Sequence, residues 1–528
     1  MPNRIGRASA LLASGTIVSR ILGFVSAVVL ARTVGVIGSG ADAFALANQL
    51  PNNVYVIIAG GVLSAVLVPQ IVKAGLHADG GAAYVNRLLT LGITLVLVVT
   101  VVATGLAPLL VSLYAQRGFA TDTLGLATAF AWWCMPQILF YAVYSLVGEV
   151  LNAKGVFGPF TWAPALNNVV AIAGMVWFGA VFTGDVAIAG SWSVESIAIL
   201  AGTATLGVAI QALALFAFLG RAGIRFRPDF RFRGVGLGAT TKLAAWTFGM
   251  ILVTQLAGIL QSNVASIATE FTEPGLAVLR FGWLVFMLPH SVITVSLGTA
   301  YFTRMATDVR DKRWDRLGTD IRESLARVTL FMVVSSAVLA VSSPFVSTVF
   351  ADRDQSGMAA VISLYALGLV PFGAAFILQR LFYALEDTRT PFFVQLAQTG
   401  VFCAGLLIVS AGPVADIATG IALWMSLSTF LQAGLLAALL RRRLGSLGTR
   451  QLALSFARFT IGVVPALLLG ILVRDALPLA DSIVGAVLGA SAVGAVMGVA
   501  YLATLILVRD STTRDLLAPL RGSRNNRP

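Results

Sequence analysis

The chain has 528 residues, of which 58% are hydrophobic and only 11% are charged, and its net charge is +13. Soluble domains carry about 25% charged residues, so this composition, with a mean hydropathy of +0.90, excludes a soluble protein and indicates a polytopic membrane protein. The apolar segments lack the alternating pattern of a membrane β-barrel, so we expect an all-α protein.

Long apolar stretches, separated by short polar breaks, follow one another along the chain. Because about 20 apolar residues cross a bilayer as a helix, each stretch predicts one span. We predict about fourteen transmembrane helices, at residues 9–33, 42–71, 88–115, 124–150, 160–182, 195–219, 242–269, 275–302, 325–350, 358–384, 391–411, 416–440, 453–473 and 482–508. The first stretch contains Arg20 and lacks a convincing cleavage site, so we expect a span rather than a signal peptide.

Basic residues occur in alternate gaps between the predicted spans. Every gap after an even-numbered span is basic, most strongly at 221–242 and 304–327. The basic residues in the other gaps are only Arg117, Arg353 and Arg474. Since cytoplasmic loops are enriched in lysine and arginine, both termini are predicted to be cytoplasmic. The positive charge then reflects topology and anionic lipid, and it argues against nucleic-acid binding, because the basic residues form no single patch.

Arg20 is a charge inside the first apolar span. It lies about a dozen residues into the stretch, where a charge at mid-bilayer costs at least about 2.5 to 3.5 kcal/mol on insertion scales. Such a residue normally faces a polar cavity or a partner. Arg20 therefore marks either a transport pathway or a structural ion pair.

The chain offers little for metal, redox or covalent chemistry. Cys134 and Cys403 lie inside apolar spans and are interpreted as small buried side chains. His77 lies in a predicted cytoplasmic loop and His290 in the eighth span, so histidine and cysteine assemble no metal site. Without a nucleophile elbow, a phosphate loop or a zinc signature, we expect neither an enzyme nor a bound cofactor.

Two short segments indicate an internal repeat. NAKGVFGPF at 152–160 and ALEDTRTPF at 384–392 both end a helix in a charged turn and begin the next with Pro-Phe, about 232 residues and six helices apart. An even number of helices keeps both copies on one side, so parallel lobes are predicted, an arrangement that suits alternating access. The predicted parts are an N-lobe (1–220), a basic linker (221–241), a C-lobe (242–440), a terminal helix pair (441–508) and a basic tail (509–528).

Several segments resemble one known family. SRILGFVSAVVLARTVG at 19–35, followed by GADAFALANQLPN at 40–52, looks like the N-terminal signature of the MurJ/MviN family of lipid II flippases. GEVLNAKGVFGPFTWAPALNNVVAI at 148–172 and RLFYALEDTRTPF at 380–392 resemble that family's fourth and tenth helix regions. The similarity is spread in order over about residues 10–395, while the last two helices match only in hydropathy.

The resemblance implies the fold of the multidrug/oligosaccharidyl-lipid/polysaccharide exporter superfamily, with fourteen helices in two lobes and a groove for the undecaprenyl tail at the terminal pair. It implies transport of lipid II, the undecaprenyl-pyrophosphate-linked disaccharide-pentapeptide of peptidoglycan synthesis, from the inner to the outer leaflet of the bacterial cytoplasmic membrane. The implied partners are this lipid, the membrane lipids and cell-wall synthesis proteins. A monomer is the default.

Arg20 resembles the arginine that the family carries in its first helix. A pyrophosphate in a low-dielectric cavity needs cations or strong donors, and arginine presents a planar fork to phosphate oxygens. At other family cation positions this chain departs from the pattern, with Ser26, Tyr55, Val56 and Leu284, and the family acid of the second helix is replaced by Gly60. At least three cavity charges are therefore missing.

Arg280 is a candidate replacement for one of them. It lies four residues before Leu284, hence on the same helix face and one turn, about 6 Å, away. We predict that Arg20 and Arg280 form the remaining cationic site. Gln49, Asn52 and Tyr55 are the predicted neutral donors. Alternatively, Arg280 pairs with Glu270 or Glu273, or reaches the outer interface by snorkelling.

Asp42 is the best acidic candidate for the substrate site. It matches the family's ADAF aspartate at the outer start of the second helix and is a candidate partner for Arg32 or Arg20. The alternative is a carboxylate that the dipole favours at a helix N-terminus.

Candidate gate and hinge residues occur in one turn and in the early helices. The gate candidates are Glu386, Asp387 and Arg389, and the hinge candidates are Gly23, Gly60 and Gly61. A helix-terminating turn accounts for the first set equally well. Close helix packing is the alternative for the glycines.

The energy source is poorly marked in the sequence. The seventh, eleventh and twelfth spans contain no aspartate apart from Asp416 at the outer mouth of the twelfth, which gives no support to a sodium site of the carboxylate type. Membrane potential acting on a cationic cavity is a compatible energy source, at about 2.3 kcal/mol per charge per 100 mV.

Two further functions stay open. One is a flippase for another polyprenyl-linked glycan, such as a teichoic-acid or capsule precursor, and the other is a non-transporting cell-wall scaffold.

Overall fold

The structure is a computed structural model that describes residues 2–60, 81–115, 117–232, 242–351, 355–445, 449–478, 482–510 and 512–514. Every regular element in these ranges is helical, and they contain no strand. The α-helices in them are α1 (Pro2–Val34), α2 (Ser39–Ile58), α3 (Ala82–Gly105), α4 (Ala107–Ala115), α5 (Thr121–Cys134), α6 (Gln137–Ala153), α7 (Gly158–Val181), α8 (Val194–Ala214), α9 (Lys242–Ser266), α10 (Leu276–Pro289), α11 (Val295–Arg310), α12 (Trp314–Phe350), α13 (Gln355–Leu367), α14 (Leu369–Ala384), α15 (Arg389–Ser410), α16 (Ile417–Leu444), α17 (Thr449–Ala476) and α18 (Ile483–Leu507).

The helices reproduce the predicted pattern of membrane spans. Within the described ranges, 12 helical segments are long and apolar enough to cross a membrane, or 13 when the bent pair α13 and α14 counts as one span. The remaining predicted span, 42–71, begins as α2 and continues past residue 60, outside the described ranges. The all-helical, multi-pass architecture is thus confirmed, while the count of fourteen and the side of the termini stay predictions.

Several spans are interrupted in mid-course, and the breaks in the fourth and tenth spans correspond to each other. The fourth span breaks between α5 and α6 at Pro136, whose ring has no N–H to donate to the preceding turn. The tenth breaks at Gly368, between α13 and α14, with a bend of 42°. An added Cβ at Gly368 would lie 2.8 Å from Ser426 Oγ, so the break brings α16 close. The two breaks are about 232 residues apart, the offset of the predicted repeat.

The chain divides into two compact units, the first of which is Met1–Ala277. Within it α7 packs against α1 and α8, and α2 packs against α5 and α6. Helix α9 belongs to this unit, because it packs against α2 and α4 and Asn263 Nδ2 donates to the carbonyl oxygen of Leu113 at 2.6 Å. The unit therefore ends later than the predicted N-lobe, and the predicted domain limits stay untested as functional lobes.

The described part of the basic linker lies against α3. Thr90 Oγ1 accepts the backbone N–H of Asp229 at 3.0 Å, and the Asp229 carboxylate receives hydrogen bonds from Arg231 at 2.9 Å and Arg87 at 3.0 Å. These two arginines hold the pKa of Asp229 well below its ordinary value. The ionised carboxylate therefore fastens the linker to the start of α3.

The second unit is Val278–Pro528. Its terminal helices α17 and α18 pack against α12 around a buried core that includes Phe345, Phe459 and Tyr501. Tyr501 also donates a hydrogen bond to the carbonyl oxygen of Leu330 at 3.2 Å. The terminal pair is thus joined to α12 on one side, and its groove for a lipid tail stays a prediction.

Candidate functional site

Arg20 lies on α1, which packs against α7. Asn168 Nδ2 donates to the carbonyl oxygen of Ser19 at 3.3 Å, and an added Cβ at Gly15 would lie 2.8 Å from the Trp162 ring. These contacts set the rotation of α1 against α7. The Arg20 side chain is exposed in the structure, so it remains accessible in the position where the sequence predicts a substrate cation.

The predicted neutral donors lie on α2 and differ in their surroundings. Gln49 is exposed and donates through Nε2 to Asn53 Oδ1 at 3.1 Å. Asn52 and Tyr55 are half-buried. Tyr55 packs against Tyr141 of α6 with ring centroids 5.7 Å apart, and its hydroxyl is hydrogen-bonded to Ser145. Tyr55 therefore joins α2 to α6.

A stripe of polar side chains runs along α6. Gln137, Tyr141, Ser145 and Glu149 follow at four-residue spacing and so share one helix face. The Tyr141 hydroxyl donates to Gln137 Oε1 at 3.0 Å, and Gln137 Nε2 donates to Asn48 Oδ1 at 3.1 Å. Gln137 is buried, whereas the other three members of the stripe are half-buried. The faces of α2 and α6 are thus linked by hydrogen bonds inside an apolar unit.

We call Asn48, Tyr55, Gln137, Tyr141 and Ser145 the polar track. Sequence reasoning found Tyr55 but missed the partners on α6. The signal was available, because polar residues four apart in an otherwise apolar span indicate a polar face. Polar groups inside membrane spans mark candidate pathways, and Tyr55, Tyr141 and Ser145 of the track are partly exposed.

Asp42 is fully buried and caps the start of α10. Its Oδ1 accepts the backbone N–H of Ala277 at 2.7 Å, and its Oδ2 accepts the Thr269 hydroxyl at 2.5 Å. An added side chain at Gly275 would collide with this carboxylate. The geometry fits the helix-terminus alternative for Asp42, but the helix served is α10 rather than its own α2.

Arg280 is half-buried on α10 in the second unit. Leu284, where the family pattern has an arginine, is half-buried one turn later on the same face. Glu270, an alternative partner for Arg280, accepts the backbone N–H of Ala120 at 2.6 Å. Arg20 belongs to the first unit, so its joint site with Arg280 stays a prediction.

The candidate hinge glycines have different neighbours. At Gly23 an added Cβ would lie 3.6 Å from Asn168 Nδ2, an ordinary contact, so packing does not demand glycine there. At Gly60, which lies in a π-helical turn following α2, it would collide with the end of the Ile251 side chain on α9. Gly61 lies outside the described residues. Because a small shift of the Ile251 side chain would relieve that collision, packing demands glycine at neither Gly23 nor Gly60, and a hinge role stays a prediction.

The candidate gate turn is built around Asp387. Its carboxylate accepts the backbone N–H of Thr390 at 2.9 Å and pairs with Arg443 at 2.6 Å, tying the start of α15 to the end of α16. Burial alone would raise the pKa of Asp387, but the Thr390 and Arg443 contacts outweigh it and lower the pKa. Glu386 has a left-handed φ of 57°, and Arg389 lies over the Phe393 ring at 5.7 Å. These contacts are all within the second unit, and the gate role is untested.

Within the described part of the chain, no three histidine, cysteine, aspartate or glutamate side chains are grouped as metal ligands. Cys134 and Cys403 are free thiols. His290 is buried in the π-helical turn His290–Thr294 and contacts the Phe372 ring at 4.6 Å.

Comparison with known proteins assigns the family. The family model described as "Lipid II flippase MurJ" matches residues 30–507. A "Probable lipid II flippase MurJ" of Rickettsia prowazekii is 24% identical over 413 residues, covering 74% of this chain and 75% of the relative. A protein of the same description from Thermotoga maritima is 26% identical over 395 residues, covering 73% of this chain and 76% of the relative.

Solved structures show the same fold. A structure described as "Lipid II flippase MurJ, inward closed conformation" superposes with a TM-score of 0.73 at 18% identity, over 95% of this chain and 99% of that one. An inward-facing MATE family multidrug resistance transporter of the MOP superfamily superposes with a TM-score of 0.59 at 14% identity, over 81% of this chain and 96% of that one. Because the family model spans most of its length, the chain belongs to the MurJ family of lipid II flippases.

Proposed function

We propose that the protein moves lipid II from the inner to the outer leaflet of the bacterial cytoplasmic membrane by alternating access. The observation that carries this proposal is the family match over residues 30–507, which extends across both helical units. Arg20 precedes the matched range, so its role stands on its charge, its place in the first span and its exposure.

The substrate headgroup sets the chemistry of the proposed site. Its pyrophosphate requires cationic partners in a low-dielectric space, and we propose Arg20 of the first span and Arg280 of the eighth for this role. The sugar hydroxyls and peptide amides require neutral donors and acceptors. The half-buried Tyr55, Tyr141 and Ser145 of the polar track supply these, with Asn52 and Gln49 on the adjacent face of α2.

The charge of the proposed site is compatible with coupling to the membrane potential. In the predicted topology both termini are cytoplasmic, with the basic linker and the 304–327 segment on that side. A membrane potential acts on each uncompensated charge that moves with the lobes, at about 2.3 kcal/mol per charge per 100 mV. We propose this as the coupling source, with no bound cofactor. A monomer that contacts cell-wall synthesis proteins at the basic segments completes the proposal.

Complementation tests the function. Cells depleted of their own lipid II flippase and expressing this chain should regain lipid II at the outer leaflet, because the chain supplies the missing transport step. Arg474→Ala is a matched control, since this half-buried arginine pairs with the neighbouring Asp475 at the end of α17 and has no proposed role. The control should complement fully.

The same cells separate the alternatives. A chain that inserts normally but restores no lipid II exposure cannot be a lipid II flippase, and transport of another polyprenyl-linked glycan should then be measured. A non-transporting scaffold would restore neither lipid II exposure nor growth in these cells, and its own role would depend on the basic segments 221–242 and 304–327 instead of Arg20.

A further inference from the structure

A polar cleft lies where α11 ends and α12 begins, in the second unit and apart from the candidate site described above. Its volume is about 630 Å³. The charged side chains that line it are Arg304, Arg313, Arg316, Asp308, Asp315 and Asp320. The cleft thus carries three positive and three negative groups at one end of a helix pair.

Most of these charges are already paired. Arg304 bonds to Asp320 Oδ1 at 2.5 Å, and Arg313 lies 3.2 Å from Asp308. Three groups are left over. Across the described ranges, the exposed side chains of Arg316 and Asp315 have no ion pair or hydrogen bond, and Asp320 Oδ2 is buried without a donor although Asp320 lines the open cleft. The Asp320 side chain is only 4% exposed.

Arg316 and Asp320 Oδ2 define what would complement the cleft, since the exposed Asp315 carboxylate is left to water. Buried carboxylate oxygens are normally hydrogen-bonded, so Asp320 Oδ2 calls for an N–H or O–H donor from the cleft. Arg316 calls for an anion. The two residues are four apart on α12, so their Cβ atoms are about 6 Å apart. The fitting ligand carries an anion and, a few bonds away, a hydrogen-bond donor.

The surroundings place the cleft at the level of lipid headgroups. The segments that form it have 35 and 37 residues, roughly 50 Å of helix each, against about 30 Å of hydrocarbon core. Tyr301, just before the cleft, lies beneath the guanidinium groups of Arg304 at 5.3 Å and Arg327 at 5.8 Å. Tyrosine and arginine together are typical of the membrane interface.

We propose that this cleft binds a membrane phospholipid through its headgroup, with the phosphate on Arg316 and an ammonium or hydroxyl donor on Asp320 Oδ2. Ethanolamine and glycerol headgroups place such a donor two or three bonds beyond the phosphate ester. Choline carries three methyl groups on its nitrogen and has no donor. The cleft therefore selects among lipids by the donor beyond the phosphate.

Lipid titration of the purified full-length protein, followed by native mass spectrometry, tests the proposal. Phosphatidylethanolamine and phosphatidylglycerol should bind about tenfold more tightly than phosphatidylcholine, because only they satisfy Asp320 Oδ2. Arg316→Ala should weaken phosphatidylethanolamine binding by about tenfold. Arg310→Ala is the matched control, since this exposed arginine pairs with Asp311 outside the cleft; it should leave binding unchanged.

A second variant tests the donor contact. Asp320→Asn should lower the affinity for phosphatidylethanolamine to that for phosphatidylcholine while leaving phosphatidylcholine itself unaffected. Equal binding of the two lipids to the wild-type chain, or equal losses in Arg316→Ala and Arg310→Ala, would overturn the proposal. Displacement of the lipid by soluble O-phosphoethanolamine at matched concentration would overturn the assignment to a membrane lipid.

Discussion

Replacing Asp42 by alanine should destabilise the first unit. The buried carboxylate accepts hydrogen bonds from the Ala277 backbone and the Thr269 hydroxyl, groups that are 2% and 3% exposed. Each buried donor left unsatisfied costs about 1–3 kcal/mol, and the start of α10 also loses a favourable charge worth roughly 0.3–1 kcal/mol. The Thr269 hydroxyl can rotate towards another acceptor, so its cost lies in the lower half of the range of about 1–3 kcal/mol. We expect a loss of about 3 kcal/mol.

Thermal unfolding of the purified protein in detergent measures this effect. A loss of about 3 kcal/mol should lower the apparent Tm by roughly 6–12 °C, given about 2–4 °C per kcal/mol for a large domain. Asp42→Asn keeps an acceptor for the Ala277 N–H and should cost only about 1 kcal/mol. Asp122→Ala is the matched control, because Asp122 is an exposed acid in the first turn of α5.

The opposite pattern would refute the capping role. If Asp42→Ala melts within about 1 °C of the wild type, the carboxylate contributes little to the start of α10. If that stable variant also fails to transport lipid II, Asp42 acts on the substrate, as the first of the two sequence interpretations holds.

Three further predictions concern the polar track and the gate turn. Gln137→Leu leaves Asn48 and Tyr141 without their partner, so thermal unfolding should show a loss of about 1–3 kcal/mol, and lipid II transport should fall at matched expression. Glu386→Gly relieves a left-handed φ of 57° and should raise stability by about 1 kcal/mol with transport retained; lost transport would support a gate latch instead. The lowered pKa of Asp387 gives stability that is present above the ordinary carboxyl pKa of about 4 and is lost as the pH falls through the folded value, so acid should destabilise the wild type more steeply than Asp387→Asn in pH-dependent unfolding.

Hydropathy was sufficient to locate the spans, because the bilayer imposes one length and one polarity on each helix. The predicted span at 482–508 is α18, Ile483–Leu507, and the span at 416–440 is the core of α16, Ile417–Leu444. Interruptions within spans were not predicted. Pro136 was visible in the sequence, but the helix before the break at Gly368 is contacted by Ser426, whose hydroxyl donates to the carbonyl oxygen of Leu364 at 2.7 Å, and no local pattern encodes that partner.

The candidate site was only partly predictable. Arg20 could be identified from the sequence, because a charge in an apolar stretch is costly in the membrane. The role of Asp42 could not be read locally, since its partners Thr269 and Ala277 are more than 200 residues away and meet it only in the folded unit. To predict which residues of α6 contact Tyr55, one must know how α2 and α6 are rotated about their axes. The spacing of residues along one helix does not determine that rotation.

The role of Arg20 in transport is tested by the amount of lipid II exposed at the outer leaflet in flippase-depleted cells that express either the wild-type chain or Arg20→Ala at equal membrane levels. Cleavage of labelled lipid II by an enzyme added outside spheroplasts measures that exposure. We expect the wild-type chain to restore it and Arg20→Ala to lower it by at least about tenfold, since an arginine contact to phosphate is lost. Equal exposure with both chains would show that Arg20 does not bind the substrate.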